Sequence, residues 1–218
     1  MTDALRRAAG ELRYLLERGY PQEASLTLVG NRHNLPAPER EILRRGVVAP
    51  KVAEVRRAKL MTLGELEGLR LAVDGHNQLI TLESALRGGP LLIADDGLVR
   101  DIARAAAGYR LGEVSRKALG LLIEALAGAA PESVLFLFDA PISRSGELAA
   151  LVRQALAEAG LTGDARTAAY PEVELERHEG PVATADGALI DRCARVIDLA
   201  GQIISERFGH LLTSLEAP

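Results

Sequence analysis

From Leu69 onward the chain alternates short apolar runs, most of them closing on Asp, with longer stretches of helical periodicity, and no other feature restricts the fold as much. The runs are Leu69–Val73, Leu91–Ala94, Val134–Phe138, Ala165–Ala169, Val182–Thr184 and Arg195–Ile197. The helical stretches are Leu98–Ala107, Gly112–Ala127, Gly146–Ala159 and Gly187–Ala194, with Asp198–Leu212 at the end. Strands separated by helices are joined by crossovers that bring them into parallel register. The pattern therefore predicts an α/β fold, a mostly parallel sheet flanked by helices. Residues 1–60 follow a different rule. Leu5, Ala8, Ala9, Leu12, Leu15 and Leu16 fall on one helical stripe, Pro21 suits a first helical turn, and Ala37–Glu41 opens a further helix with acids in its first turn. The expected organisation is a small all-helical domain over 1–60, a linker over 61–68 that carries Gly64 and Gly68, and an α/β domain over 69–218.

Aromatic residues make up 3% of the chain and Trp is absent, so the core must be aliphatic and a nucleic-acid surface built from rows of stacking rings is not expected. The single cysteine, Cys193, excludes an internal disulfide and a Cys-rich zinc site, and reads as buried filler. The first twenty residues carry arginines and glutamates throughout, unlike a signal peptide, and no run of about 20 uncharged apolar residues could span a bilayer. The expectation is a cytoplasmic protein with no membrane partner. Net charge is -4 from 26 basic and 30 acidic residues. Residues 1–60 hold 12 basic and 7 acidic residues, a balance of +5, which leaves 14 against 23, or -9, for the remainder. A basic head on an acidic body points to a polyanion partner, RNA, although the head arginines also read as solvated helix faces.

In a parallel sheet the strand carboxyl ends share one edge, where ligands bind. Four segments place acids there: Asp74-Gly75-His76-Asn77, Asp95-Asp96-Gly97, Asp139-Ala140-Pro141 and Thr184-Ala185-Asp186-Gly187. One Asp after a strand is usually a helix cap or turn former. Several together repel one another and call for a cation, and hard oxygen ligands without thiolates select Mg²⁺ or Mn²⁺. The chemistry implied is metal-assisted attack of water on a phosphodiester. Phosphate-loop, dinucleotide-fold, zinc-protease and nucleophile-elbow motifs are all absent.

The order Val-Asp74-Gly-His-Asn77, a mid-chain acidic cluster, Phe-Asp139-Ala-Pro-Ile-Ser-Arg-Ser-Gly-Glu147 and Ala-Thr184-Ala-Asp186, followed by Arg195–Leu199, resembles the PIN and NYN nuclease superfamily over about residues 69–205. The whole chain more closely resembles a prokaryotic family of unknown function with a helical head and an α/β body. The nuclease resemblance implies a PIN-like fold in which Asp74, Asp139 and Asp186 hold metal and act in catalysis, Asn77 helps fix Asp74, and Thr184 positions Asp186. The superfamily also places an acid on an intervening helix. Glu83, Asp95, Asp96 and Asp101 compete for that role, with Asp96 and Asp101 preferred because Asp101 follows by about one helical turn. Ser143, Arg144 and Ser145, just before a helix, are candidates for phosphate binding or plain capping. Arg100 either contacts the scissile phosphate or pairs with Asp96 or Asp101, and His76 is either catalytic or simply hydrogen-bonded. The implied activity is a Mg²⁺- or Mn²⁺-dependent endoribonuclease. Alternatives are a catalytically degenerate module that binds nucleic acid or protein, and a phosphatase on a similar fold. A homodimer is a further partner to consider.

Overall fold

The computed structural model describes residues 1–102 and 111–215. The head comprises α1 (Asp3–Glu17), α2 (Gln22–Arg32), α3 (Ala37–Gly46) and α4 (Pro50–Arg57). Thr2 caps α1 by accepting the Leu5 N–H, and prolines occupy the first turns of α3 and α4, where a missing N–H costs nothing. The chain continues through β1 (Leu60–Met61), β2 (Arg70–Asp74), α5 (Gly75–Leu86), β3 (Leu91–Ile93) and β4 (Val99–Asp101). There follow α6 (Glu113–Ala129), β5 (Ser133–Asp139), α7 (Ser145–Glu158), β6 (Gly163–Ala168) and α8 (Pro171–Glu176), then β7 (Val182–Ala183), α9 (Gly187–Arg192), β8 (Val196–Ile197), α10 (Leu199–Phe208) and β9 (Leu212–Ser214).

Six strands form one sheet in the order β1-β8-β7-β2-β5-β6, and every adjacent pair is parallel. Starting from β2, the chain adds β5 and then β6 on one side, and returns to add β7 and then β8 on the other. The direction of winding reverses between β2 and β7, which makes that gap the topological switch point where open α/β sheets leave a crevice. The core beneath is aliphatic, as the composition requires, with Phe136 and Phe138 stacked at 6.3 Å within it.

One helix is corrected. Leu98–Ala107 does not begin as a helix: Val99–Asp101 is a strand, antiparallel to β3, and the part from residue 103 lies outside the described residues. The reason is the Asp96-Gly97 pair. Gly97 takes φ +83°, Ala94 N–H donates to the Leu98 carbonyl at 3.0 Å, and the chain folds back as a hairpin where a helix start is the simpler reading. β3 and β4, with β9 alongside, make a separate three-stranded sheet, so the acids that follow β3 do not lie on the edge of the main sheet. This small sheet is also the seat of the head. Leu92 and Leu215 share a buried cluster with Leu5, Leu12, Val29 and Leu43, and a Cβ at Gly46 would lie 2.4 Å from Leu92 Cδ2.

Candidate active site at the sheet switch point

α5 starts directly from the end of β2, and it can do so because residue 75 has no side chain: a Cβ there would sit 2.2 Å from Phe138 Cε1. The close approach makes Asp74 both the last residue of β2 and the N-cap of α5. Its Oδ1 faces the Asn77 N–H at 3.4 Å, and its Oδ2 accepts from the Thr184 hydroxyl at 3.0 Å, a bond that crosses the switch point from the loop after β7. The Thr184 oxygen in turn accepts the Asp186 N–H at 3.1 Å, so one hydroxyl fixes the spacing of the two acids. Asp186 is exposed and caps α9 through the Leu189 N–H.

Asp139 ends β5, two residues beyond Leu137, the register partner of Asp74. Its Oδ2 lies 2.9 Å and its backbone N 3.1 Å from His76 Nδ1, and the buried imidazole stands edge-on to Phe138 at 5.1 Å. Burial pushes the His76 pKa down while Asp139 works to raise it. Asp74 feels both neighbouring acids. Enclosure raises its carboxyl to about 7, the Thr184 and Asn77 hydrogen bonds oppose that rise, and the charges of Asp139 and Asp186 add to it. Asp139 and Asp186 are thus each near enough to act on the Asp74 charge, with His76 beside Asp139 and Thr184 beside Asp74 as direct partners.

The mid-chain acids are placed elsewhere. Asp96 is fully buried between two guanidiniums, Arg100 at 2.7 and 2.8 Å and Arg56 at 2.9 Å, which hold its carboxyl below the usual range against the burial penalty. Arg56 extends this network to Asp191 at 2.7 and 2.8 Å. Asp95 receives both Arg13 Nε and Nη2, at 2.8 and 2.6 Å, and the Val48 N–H. Asp101 is buried and accepts from Ser84 Oγ at 2.8 Å, while Glu83 is buried and pairs with Arg87 at 2.6 Å. Arg100 is therefore an ion-pair partner, and also donates to the Ala185 carbonyl at 3.2 Å. Ser143 is exposed, Arg144 at φ +64° pairs with Glu147, and Ser145 donates to the Asp139 carbonyl at 2.7 Å. These three residues precede or open α7, which has no side-chain cap.

Asn77 supports the site through its side-chain oxygen, which accepts the Ala185 N–H at 2.9 Å and Gln78 Nε2 at 2.8 Å. Gln78, fully buried, accepts the Ala200 N–H at 2.7 Å, so two amides bind the starts of α5, α9 and α10 together. Two participants were not singled out from sequence. Gln78 carried no signal beyond its position after Asn77. Asp198, which caps α10 and takes the Val99 N–H at 2.6 Å, follows a strand like the other four and was detectable by the same rule.

A cleft of about 1040 Å³ opens between the head and the α/β body, with Asn77 and Asp186 on its body side and Leu16, Tyr20 and Val52 on its head side. Its charged lining balances: Arg44, Arg45, Arg56 and Arg100 stand against Glu41, Asp101, Asp186 and Asp191. Each arginine is already paired, Arg44 with Glu23 and Glu41, Arg45 with Glu41, and the other two within the Asp96 network.

Among the described residues, no group of three or more His, Cys, Asp or Glu side chains is placed so that it could hold a metal ion. Mg²⁺ does not require such a group, because it commonly binds one or two carboxylates and completes its shell with water and phosphate oxygens. The donors fit that mode: Asp139 Oδ1 and Asp186 Oδ2 take no hydrogen bond among the described residues, and Asp74 Oδ1 takes only the long one.

No helix among the described residues is long and apolar enough to cross a membrane. Residues 4–59 match the family model described as "Protein of unknown function (DUF434)". "Uncharacterized protein MJ0935" of Methanocaldococcus jannaschii is 30% identical over 203 residues, which cover 92% of this chain and 97% of that protein. No solved structure matches. The model described as "Domain of unknown function (DUF5616)" matches residues 63–202, more than half of the length, and the chain belongs to that family.

Proposed function

We propose that the protein is a PIN-like, Mg²⁺- or Mn²⁺-dependent nuclease that hydrolyses RNA phosphodiesters at the β2/β7 edge. One observation supports the reading: the Asp74 carboxyl at the end of β2 is raised to about 7, first by burial and in smaller part by the charges of Asp139 and Asp186, which follow the strands on either side of it. Such a group of acids is costly without a cation and useful with one. Asp74 and Asp186, spaced by Thr184, and Asp139 would hold the metal, which supplies charge neutralisation at the phosphate and activation of the attacking water. The uncapped first turn of α7, beside Ser143 and Arg144, leaves backbone donors at the edge that ends in Asp139. In the same reading residues 1–60 and 69–218 act as two domains joined through 61–68.

A degenerate, binding-only module is the second reading, favoured by the burial of Asp96 between arginines, which withholds the fourth acid of the sequence pattern. Incubation with single-stranded, hairpin and transfer RNAs in Mn²⁺ separates the two. The nuclease reading expects cleavage that is lost in Asp74→Asn and Asp186→Asn. Binding without cleavage in all three substrates refutes it, and turnover confined to small phosphate esters points to a phosphatase.

A further inference from the structure

The cleft between head and body is continuous with the acid edge, because Asn77 and Asp186 belong to both. Its chemistry is wrong for a phosphate groove. The lining charges cancel, and all four guanidiniums are held by carboxylates of the protein, so a polyanion entering here gains no free cation and releases few counterions. What the cleft does offer is apolar area on two sides, Val48, Ala49 and Val52 from the head against Ala188 and the edge of Ile80 from the body, with Tyr20 at its rim, 58% exposed.

It also offers one directed donor group. Asn77 Oδ1 is saturated by the Ala185 N–H and Gln78 Nε2, and this fixes which end of the amide is oxygen. The amide NH₂ is left with no protein acceptor among the described residues, in a side chain that lines the cleft. Two apolar walls and a fixed pair of N–H donors suit a flat ring with acceptors on its edge.

We propose that this cleft holds the base of an unpaired nucleotide flanking the reactive phosphodiester, with the base between the head and body walls and its edge on Asn77 Nδ2. The inference rests on the nuclease reading for its substrate class, and it gives the helical head a task, which is to complete a nucleobase pocket. The backbone phosphates stay outside, towards the Asp74 edge.

The test uses the full chain in EDTA, so that binding is read without turnover. A fluorescent, short single-stranded RNA is the probe, and uncharged nucleosides and inorganic phosphate are the competitors. The expected result is displacement by nucleosides and not by phosphate, no binding of the same sequence as a duplex, and a log–log salt slope no steeper than about -0.7, the value for one neutralised phosphate on a single strand. Asn77→Asp keeps an oxygen for the Ala185 and Gln78 donors and removes the NH₂. Val52→Arg places a cation on a wall position that is 38% exposed and can accommodate it without refolding. Each variant is expected to weaken binding by about tenfold, the scale of one lost base contact. Displacement by phosphate alone, or tighter binding by Val52→Arg, would show a phosphate groove and overturn the pocket. Absence of RNA binding in EDTA overturns it too, while cleavage in Mn²⁺ still decides the nuclease reading separately. Nucleoside displacement without any cleavage keeps the pocket and removes the hydrolysis.

Discussion

Replacing Asp74 by Asn should remove activity and, without metal, make the protein more stable at alkaline pH. The native carboxyl titrates at about 7 against 3.8 for the free side chain. Its folded pKa is raised, so the native state keeps the proton longer than the unfolded chain, and stability falls as pH climbs from about 4 through 7. About three pKa units at about 1.4 kcal/mol each give an upper limit of about 4 kcal/mol for the ionised form above pH 7. Water and salt at the sheet edge screen part of this, and about half is a fair allowance. Asn keeps one oxygen for the Thr184 hydroxyl and loses the 3.4 Å cap to the Asn77 N–H, at a cost of about 0.5–1 kcal/mol. The net expectation is that Asp74→Asn is about 1–2 kcal/mol more stable than wild type at pH 8 in EDTA, and equal or slightly less stable at pH 4. Urea unfolding followed by circular dichroism from pH 4 to 8 measures the gap. Saturating Mg²⁺ should then stabilise the wild type alone, by about 2.7 kcal/mol at a hundredfold excess over Kd. A variant less stable at pH 8, or a gap that does not vary with pH, would refute the idea that burial, with the two neighbouring charges added, raises the Asp74 pKa.

Arg56→Ala leaves the sealed Asp96 with Arg100 alone and frees Asp191, and should cost about 3 kcal/mol in urea unfolding, the low end for a broken buried pair; a loss under about 1 kcal/mol would mean the network is not structural. Gly75→Ala should destabilise by about 1–3 kcal/mol through the clash with Phe138, and Phe138→Leu in the same chain should restore part of that, read as the shift in thermal midpoint. Asp198 is buried and raised to about 6, so its stabilising contribution is complete below about pH 4 and lost as pH rises through 6. In Asp198→Asn the stability difference from wild type should therefore drift by up to about 3 kcal/mol between pH 4 and 7, and a constant difference would contradict the burial assigned to it.

The parts of this fold that were legible are those with a local cause. Val134–Phe138 reads as a strand because a central parallel strand is covered on both faces, and Asp74 and Asp186 read as strand-end acids because each follows such a run and precedes a helix start. The hairpin from β3 to β4 was misread because strands of three residues are too short to show a period, leaving Asp96-Gly97 as the only clue. The Arg100–Asp96 pair had a local trace in its spacing, but the ion pairs between head and body had none: Arg13 reaches Asp95 across 82 positions and Arg56 reaches Asp191 across 135. Such pairings depend on how the head docks, which the spacing of residues does not encode.

Those long-range pairs change the meaning of the charge split between +5 and -9. Part of the head's excess is matched by the body's acids, since Arg13 and Arg56 pair with Asp95, Asp96 and Asp191, while Arg57 and Lys59 donate to backbone carbonyls beyond position 94 and keep their charge. The same pairing sorts the body's carboxylates. Asp95, Asp96 and Asp191 are matched by arginine and belong to the joint between head and body. Asp74, Asp139 and Asp186 have no arginine or lysine partner among the described residues, and all three follow strands at one sheet edge, where the Thr184 hydroxyl, the contact with His76 Nδ1 and the Leu189 N–H orient them. A group of carboxylates without cationic side-chain partners is what the metal reading proposed above requires, whereas Asp95, Asp96 and Asp191 already carry theirs. On that ground, and independently of any motif, these three are the acids whose removal should affect metal binding before it affects the fold.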